Sequence, residues 1–424
     1  MILVIGDVIL DVFKQGTSTR LSPEAPVPVI TNLKTRYYPG GAANVAMNIA
    51  NLGIKTMIRG VVGTDDEGVI LEKILYDNHN ILLALSKRYQ QPTIVKTRIM
   101  ANNQQVARID DEQEFPAITL QEVYDLEGDQ WDYIVVSDYN KGNIGNMSNE
   151  FKIAREKGIK VLVDPKKEFR NYAGAWLIKP NFKEFCEFLQ HPKDFDDMCQ
   201  IGQAALTKHN IDYMLVTLGD GGMALISQQG LKQYEAPVCD VFDITGAGDS
   251  ALAGLVYGLA KGKTLDEAVE LAVKAGSVAV TKPATYQLKP GDLHDKVVFT
   301  NGVFDIIHAG HIKLLEQAKR LGDKLVVAIN SDASVRRLKG DGRPVNDEET
   351  RAHTLRQFSC VDEVVIFHDD TPYELIEELK PSIIVKGGDY TIETVVGHDL
   401  VDKVVIIPLE EGYSTTNILG KINE

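Results

Sequence analysis

Asp243-Ile244-Thr245-Gly246-Ala247-Gly248-Asp249-Ser250 runs into the small residues Ala251, Ala253 and Gly254, and this stretch decides the reading of the first two thirds of the chain. Glycines let backbone N–H groups close around an anion without side-chain obstruction. The small-residue run that follows reads as a helix, whose N-terminus adds the positive end of its dipole. Asp249 stands at the mouth of this cradle, placed to take a proton from an attacking hydroxyl. Gly246, Ala247 and Gly248 are the candidate anion hole. Such a device suits phosphoryl transfer, where positioning and charge stabilisation dominate. Gly246-x-Gly248-x-x-Ala251 also fits a loose dinucleotide fingerprint, but it does not sit in an N-terminal βαβ unit. There is no Walker A loop.

Outward from this segment, short apolar runs alternate with helical patterns. Ile2–Ile5, Tyr133–Ser137, Lys160–Asp164 and Tyr213–Thr217 are examples. That alternation predicts an α/β fold with a parallel sheet wrapped by helices. Phe13–Tyr38 and Thr93–Asp110 break the pattern, with alternating polar and apolar residues rich in Thr, Val and Arg. They read as antiparallel strands projecting from the main sheet, a small β lid. A second α/β start appears at Lys296: Val297-Val298-Phe299-Thr300, a turn, a helix through Leu321, then Leu325–Asn330. Lys282–Asp295 lies between and carries Pro283, Pro290 and Gly291. The predicted domains are therefore 1–290 and 296–424.

The second domain opens on its own device, Asn301-Gly302-Val303-Phe304-Asp305-Ile306-Ile307-His308-Ala309-Gly310-His311. His308 and His311 share one face at the head of a helix. Gly310 permits close approach of a phosphate, and the helix N-terminus points at the same anion. Two imidazoles can stabilise charge building on an α-phosphate. A zinc site would want further ligands, and neither Cys nor an H-E-x-x-H frame accompanies them.

Composition narrows the classes. The chain has 424 residues, 44% hydrophobic and 25% charged, with formal net charge -15. Its length suits two cores, and its acidity argues against general nucleic-acid binding. No apolar run is long enough to span a membrane. The start, Met1 to Val12, carries Asp7 and Asp11 and reads as a buried strand, not a signal peptide. Cys186, Cys199, Cys239 and Cys360 have no metal-ligand spacing and read as reduced thiols of a cytoplasmic protein.

Asp243–Asp249 resembles the signature of the ribokinase-like (PfkB) sugar kinases, and the resemblance extends over nearly all of residues 1–290. It implies a three-layer kinase domain with Asp249 as catalytic base. Gly6-Asp7-Val8-Ile9-Leu10-Asp11 resembles the first strand and its sugar-contacting carboxylate, making Asp7 and Asp11 candidates. Pro39-Gly40-Gly41-Ala42-Ala43-Asn44 resembles a second sugar-binding turn, with Gly40, Gly41 and Asn44. Lys179-Pro180-Asn181-Phe182-Lys183-Glu184 resembles the N-x-x-E element associated with magnesium and phosphate, through Asn181 and Glu184. Thr217-Leu218-Gly219-Asp220-Gly221-Gly222 resembles the nucleotide-side loop, through Thr217 and Gly219. Arg20–Val29, Asn102–Asp110, Ser137-Asp138-Tyr139 and Asp164-Pro165-Lys166 resemble the heptose-7-phosphate 1-kinase branch. Arg20, Arg98, Arg108 and Lys166 are suited to pair with a phosphate dianion on such a sugar.

The His308–His311 segment resembles the cytidylyltransferase-like nucleotidyltransferases, a Rossmann-like fold. The resemblance implies nucleotide and phosphate contacts from Thr300, Asn301, Gly302, Phe304, Asp305 and Lys313, then Asn330 and Asp332. Arg336, Lys339 and Arg343 form the basic stretch expected near the sugar phosphate. Lys386, Gly387 and Asp389 are expected near base and ribose, and Ser414, Thr415 and Thr416 as a phosphate clamp. Both halves in this order resemble the bifunctional heptose-7-phosphate kinase / heptose-1-phosphate adenylyltransferase family, which makes ADP-heptose. Its substrates are ATP and heptose phosphates. Magnesium is expected to arrive with ATP rather than in a fixed protein cage. Potassium at the kinase site, near Asp243, belongs to the same expectation. So do a homodimer through the lid and a separate phosphatase acting between the two steps. Two departures stand out, a short connection between the halves and a minimal N-terminus. The residues leave open another sugar phosphate, CTP or GTP in the second half, or a sugar-nucleotide-binding protein with one inactive site.

Overall fold

A computed structural model describes residues 1–89, 91–112, 115, 131–293, 296–340, 342–388, 390–401 and 403–408. It divides into two compact units, Met1–Leu293 and His294–Glu424.

The first unit is built on a nine-stranded sheet. In spatial order its strands are Gly230–Tyr234, Met223–Ser227, Tyr213–Thr217, Leu177–Ile178, Lys160–Asp164, Tyr133–Ser137, Ile2–Gly6, Thr56–Arg59 and Ile81–Leu83. All neighbours are parallel except the two pairings at the Gly230 edge. The sheet is covered on both faces, so its central strands are apolar throughout rather than alternating. Ile2 and Val4 join the core that includes helices Ala42–Asn51 and Ala247–Ala260, while Leu3 and Ile5 join the core under helices Ser148–Glu156 and Phe195–His209. Each such fully buried aliphatic side chain contributes roughly 1.5–3 kcal/mol.

Helix Ala247–Ala260 is seated by close approach to helix Leu265–Val280. A Cβ on Gly254 would lie 2.7 Å from both the Ala275 Cβ and the Leu271 carbonyl oxygen. Helix Leu265–Val280 starts at Thr264, which forms a capping box with Glu267. The small residues after Asp249 therefore fix where the anion cradle sits.

The lid is a separate four-stranded sheet. Val8–Leu21 and Pro28–Gly41 form a long antiparallel hairpin, and Ile94–Ala101 pairs antiparallel with Gln104–Asp111. The expectation of an all-antiparallel lid is corrected at its centre, where Val8–Leu21 and Ile94–Ala101 run parallel. Two helices and several strands separate them in the chain, long enough for the crossover that a parallel pair needs. The lid also begins at Val8 rather than Phe13, so Asp11 lies within it.

The second unit is a five-stranded parallel sheet in the order Glu363–Phe367, Lys324–Asn330, Val297–Gly302, Ile383–Gly387, Lys403–Ile407. Its two faces again carry separate cores, Val298 with Leu325 and Val327 on one, Phe299 with Val326 and Ala328 on the other. Helices Ala309–Lys319, Asp332–Lys339 and Glu348–Arg356 leave the carboxyl ends of successive strands or follow on them. Among the described residues, no helix is long and apolar enough to cross a membrane.

Candidate active sites

In the first unit, Gly246 adopts φ 76° and caps helix Ala247–Ala260. This left-handed turn is open to glycine at no steric cost. A Cβ there would also lie 2.9 Å from Asn44 Nδ2. Asp249, in the first turn, is 4% exposed. Its two oxygens have different donors: the Tyr139 hydroxyl donates to Oδ1 at 2.8 Å and Asn44 Nδ2 to Oδ2 at 2.8 Å. Burial pushes the carboxyl up to about 6, with the Asn44 and Tyr139 hydrogen bonds and Lys179 acting against it and Asp164 with it. A carboxyl poised there is charged at neutral pH and basic enough to accept a proton.

Asp249 stands in the wall of a cavity of about 940 Å³. Gly246, Ala247 and Gly248 line it, with Thr217, Gly219, Asn181, Glu184, Lys166 and Lys179. A Cβ on Gly248 would come within 3.6 Å of Lys179 Nζ, so this cradle is bordered by a buried cation. Lys179 is in turn held 2.9 Å from Asp164.

Several expected contacts serve other ends. Asp7 has no exposed surface and accepts from the backbone N–H groups of Tyr139, Lys141 and Asn143. It latches the turn carrying Tyr139. Asp11 pairs with Arg98 at 2.5 Å and accepts from Thr285 at 3.2 Å, so Arg98 is not a free phosphate ligand. Gly40 is required beside it, because a Cβ would lie 2.6 Å from Asp11 Oδ2. Gly41, at φ +56°, would meet the Asp7 carbonyl at 2.4 Å. Arg108 forms a two-pronged pair with Asp110, and Arg20 is exposed near the hairpin tip. Lys166 pairs with Glu184 in the cavity beside Asn181. Asn181 and Glu184 form a capping box on helix Phe182–Phe188, so the Glu184 carboxylate is already doubly engaged.

In the second unit, His308 is the N-cap residue of helix Ala309–Lys319. The His308 and His311 rings stack, with centroids 3.8 Å apart. Phe304, at φ 48°, lies against His311 with centroids 5.0 Å apart. Burial and the neighbouring His308 hold His311 down at about 4, and burial lowers His308. The neutral form is thus favoured at both rings, with the Ile306 backbone hydrogen bond acting the other way on His311. Thr300 Oγ1, Asn301 Oδ1, His308 Nδ1 and His311 Nδ1 are buried without a hydrogen-bond partner. Each such group costs roughly 1–3 kcal/mol. All four lie in one short stretch, at a strand end and the helix start beside it.

Lys386 lies nearby, with Nζ 2.9 Å from the Asn301 carbonyl and 5.1 Å from the Tyr390 ring centroid. Burial brings its ammonium down to about 8. Gly302 and Gly387 close the two adjacent strands, and Lys313 lies on the histidine helix. Two expected ligands are instead bonded to each other: Arg343 donates to Asp305 at 2.9 Å. Asp305 also accepts from Val345 and Asn346, which pins the loop after Arg343. Asp332 and the Asn330 carbonyl accept from Arg351, which is 1% exposed and also reaches the Val303 and Asn346 carbonyls. Arg336 and Lys339 are exposed on helix Asp332–Lys339. Asp389, Ser414, Thr415 and Thr416 lie outside the described residues. Among the described residues no cluster of three or more His, Cys, Asp or Glu side chains is arranged to hold a metal.

Tyr139 and Lys179 are site residues that the motifs contain without marking out; both lie just beyond strand ends, the signal that points to them.

Residues 1–290 match the family model for pfkB family carbohydrate kinases, and residues 299–420 match the cytidylyltransferase-like model. The bifunctional protein HldE of Pseudomonas syringae pv. syringae is 41% identical over 461 aligned positions, covering 99% of this chain and 97% of that protein. The chain belongs to the HldE family. The HldE of Escherichia coli O157:H7 is 39% identical and aligns with 100% of this chain and 97% of its own length. Like its HldE relatives, the chain is bifunctional, a carbohydrate kinase joined to a nucleotidyltransferase. Solved structures agree on the kinase fold. Escherichia coli phosphofructokinase-2 superposes with TM-score 0.57 at 22% identity, covering 69% of this chain and 96% of that one. Arabidopsis thaliana ribokinase gives 0.56 at 20%, with the same coverage. The 461 aligned positions exceed the 424 residues here, so the Pseudomonas relative carries residues that this chain lacks.

Proposed function

We propose that the first unit phosphorylates D-glycero-D-manno-heptose 7-phosphate on its anomeric oxygen, and that the second transfers an adenylyl group from ATP to heptose 1-phosphate. The observation that carries this reading is the pair of phosphate-ready helix starts, with the buried, twice-bonded Asp249 at one and the stacked His308 and His311, each with an unpartnered Nδ1, at the other.

In the kinase, Asp249 accepts the proton of the O1 hydroxyl as that oxygen attacks the γ-phosphorus of ATP. The bond to the β,γ-bridging oxygen breaks and ADP leaves. The Gly246, Ala247 and Gly248 amides and the helix N-terminus hold the transferring charge. Asn181, Glu184, Thr217 and Gly219 are assigned to the nucleotide side. Asp11, Gly40, Gly41 and Asn44 are assigned to the sugar side. Magnesium arriving with ATP would neutralise phosphate charge, and Lys179, which borders the Gly248 cradle, would add to this from the protein. Potassium near Asp243 is part of the proposal, and replacing potassium with sodium in the assay tests it.

In the transferase, a 1-phosphate oxygen attacks the α-phosphorus of ATP and pyrophosphate leaves. His308, His311 and Lys386 stabilise the negative charge in flight. Thr300 and Asn301 complete their hydrogen bonding on the nucleotide.

ADP-heptose keeps no 7-phosphate, so a separate phosphatase acts between the steps. A lid-mediated homodimer in the cytoplasm completes the reading. Val106, Ile109, Leu33 and Tyr37 expose apolar surface on the lid, which supports pairing; small-angle scattering tests it. The substrate assignment is tested with a panel of sugar phosphates in the kinase assay, followed by ATP, CTP and GTP in the transferase assay. Heptose 7-phosphate and ATP are expected to give the highest kcat/KM. No turnover of heptose 7-phosphate would sink the sugar assignment.

A further inference from the structure

The two donors on Asp249 differ in kind. The Tyr139 hydroxyl can rotate its proton away, whereas the Asn44 side chain can change its role only by turning its amide end for end. Turned over, it would present a carbonyl oxygen to the carboxylate.

Asn44 and Asn48 stand four residues apart on helix Ala42–Asn51, and both are fully buried. Asn48 Nδ2 donates to Asn44 Oδ1 at 3.0 Å. Asn48 Oδ1 accepts from the Leu288 backbone N–H at 2.6 Å. The ends of this chain are fixed by chemistry, since a backbone N–H can only donate and an ionised carboxylate can only accept. One polarity alone satisfies every link from Leu288 to Asp249. Reversal would set donor against donor at Leu288 and oxygen against oxygen at Asp249, each buried and each costly.

We propose that Asn48 is a positioning residue of the kinase: anchored on the Leu288 N–H, it fixes the orientation of the Asn44 amide and so keeps an N–H on Asp249 Oδ2. The proposal rests on Asp249 being the base. Its consequence is that the ionised form of Asp249 is favoured from a distance of two side chains. The other charged or titratable groups acting on Asp249 are Tyr139, Asp164, Lys179 and Lys166, from strand ends and loops facing the helix. None touches Asn48 in the hydrogen-bond network.

The test is the pH profile of kinase kcat/KM in the full chain. Asn48→Asp keeps the acceptor for Leu288 but removes the donor to Asn44. Asn48→Ala removes both without adding charge, and serves if the aspartate prevents folding. Both are expected to move the acid limb upward by about one unit, about a tenfold loss on that limb. In an Asn44→Ala background neither is expected to move it further. Thermal unfolding and ATP binding establish that each variant is folded. An unmoved limb in a folded variant overturns the proposal, including when the rate falls equally at every pH. An equal shift in the Asn44→Ala background also overturns it, because the effect then bypasses Asn44. Asp249→Asn separates the two readings. If that variant keeps turnover, the base assignment fails; if it is inactive while the limb stays put, only the relay fails.

Discussion

The two helix starts treat their buried ionisable groups in opposite ways. At Ala247–Ala260 the acid is fully occupied, with one donor on each oxygen and Asn48 behind Asn44. At Ala309–Lys319 the stacked imidazoles keep an unpartnered ring nitrogen each, and Thr300 and Asn301 beside them are likewise unpartnered. A group that must change protonation needs its charge balanced before substrate arrives, because in a buried site its pKa is set by its neighbours. Groups that only lend hydrogen bonds to a passing charge need the reverse, geometry held by stacking and bonding left for the ligand. The difference therefore predicts a kinase acid limb set by Asp249 and no counterpart from His311 in the transferase, within a single chain.

The largest expected effect is on the kinase side. Asp249→Asn should lower kinase kcat by about 10³-fold or more, since general-base removal is worth roughly 10²–10⁴. Transferase turnover in the same preparation should be unchanged. Equal loss of both activities would show that the two sites are not independent devices. Next comes His311→Ala, expected to lower transferase kcat by about 10²–10³-fold, with kinase kcat unchanged. A smaller effect, mainly in KM, would place His311 in ground-state binding rather than in charge stabilisation.

A pH series sharpens the contrast. Asp249 sits at about 6 and acts ionised, so kinase kcat/KM should fall about tenfold per unit below that value. His311 sits at about 4 and is already neutral, so His311 is expected to contribute no transferase limb between pH 5 and 7. Lys386 sits at about 8 and acts protonated, so transferase kcat/KM should decline as pH rises through 8. The ratio of kinase to transferase activity should thus rise from pH 5 to about 6, level off, and rise again above about 8. A fall in transferase kcat/KM as pH rises through about 6.5 would mean that an imidazolium is required.

Much of this was legible in the residues. Apolar runs such as Ile2–Ile5 and Tyr213–Thr217 lie in the strands they suggested, because a strand buried on both faces has little choice of residue. Gly246 and the small residues after Asp249 announced a helix start, since few other sequences can make that turn and pack that closely. The pairings were not legible. Local patterns do not say that Val8–Leu21 and Ile94–Ala101 run parallel, because that depends on the path between them. Nor do they say which charges cancel. Arg98 with Asp11, Arg343 with Asp305 and Lys166 with Glu184 each join residues far apart in the chain. A cation in a motif therefore reads as a phosphate ligand until its partner is seen. Arg351 is the extreme case, an arginine spent entirely on three backbone carbonyls and Asp332.

The smallest expected effect probes one such double reading. Asn181 lines the kinase cavity and also caps helix Phe182–Phe188, with Glu184 returning the bond to the Asn181 N–H. Loss of a cap of this kind costs about 1 kcal/mol. Asn181→Ala should lower kinase-unit stability by about that amount in chemical unfolding, while the backbone N–H that holds Glu184 remains. Asn181→Ser retains a capping oxygen but is shorter, and should recover most of the stability. If the serine variant also recovers kinase kcat/KM, the residue acts through the helix it starts. If stability returns while kcat/KM does not, the amide itself reaches the nucleotide, and the kinase site, like the transferase site, keeps a polar group in reserve for its ligand.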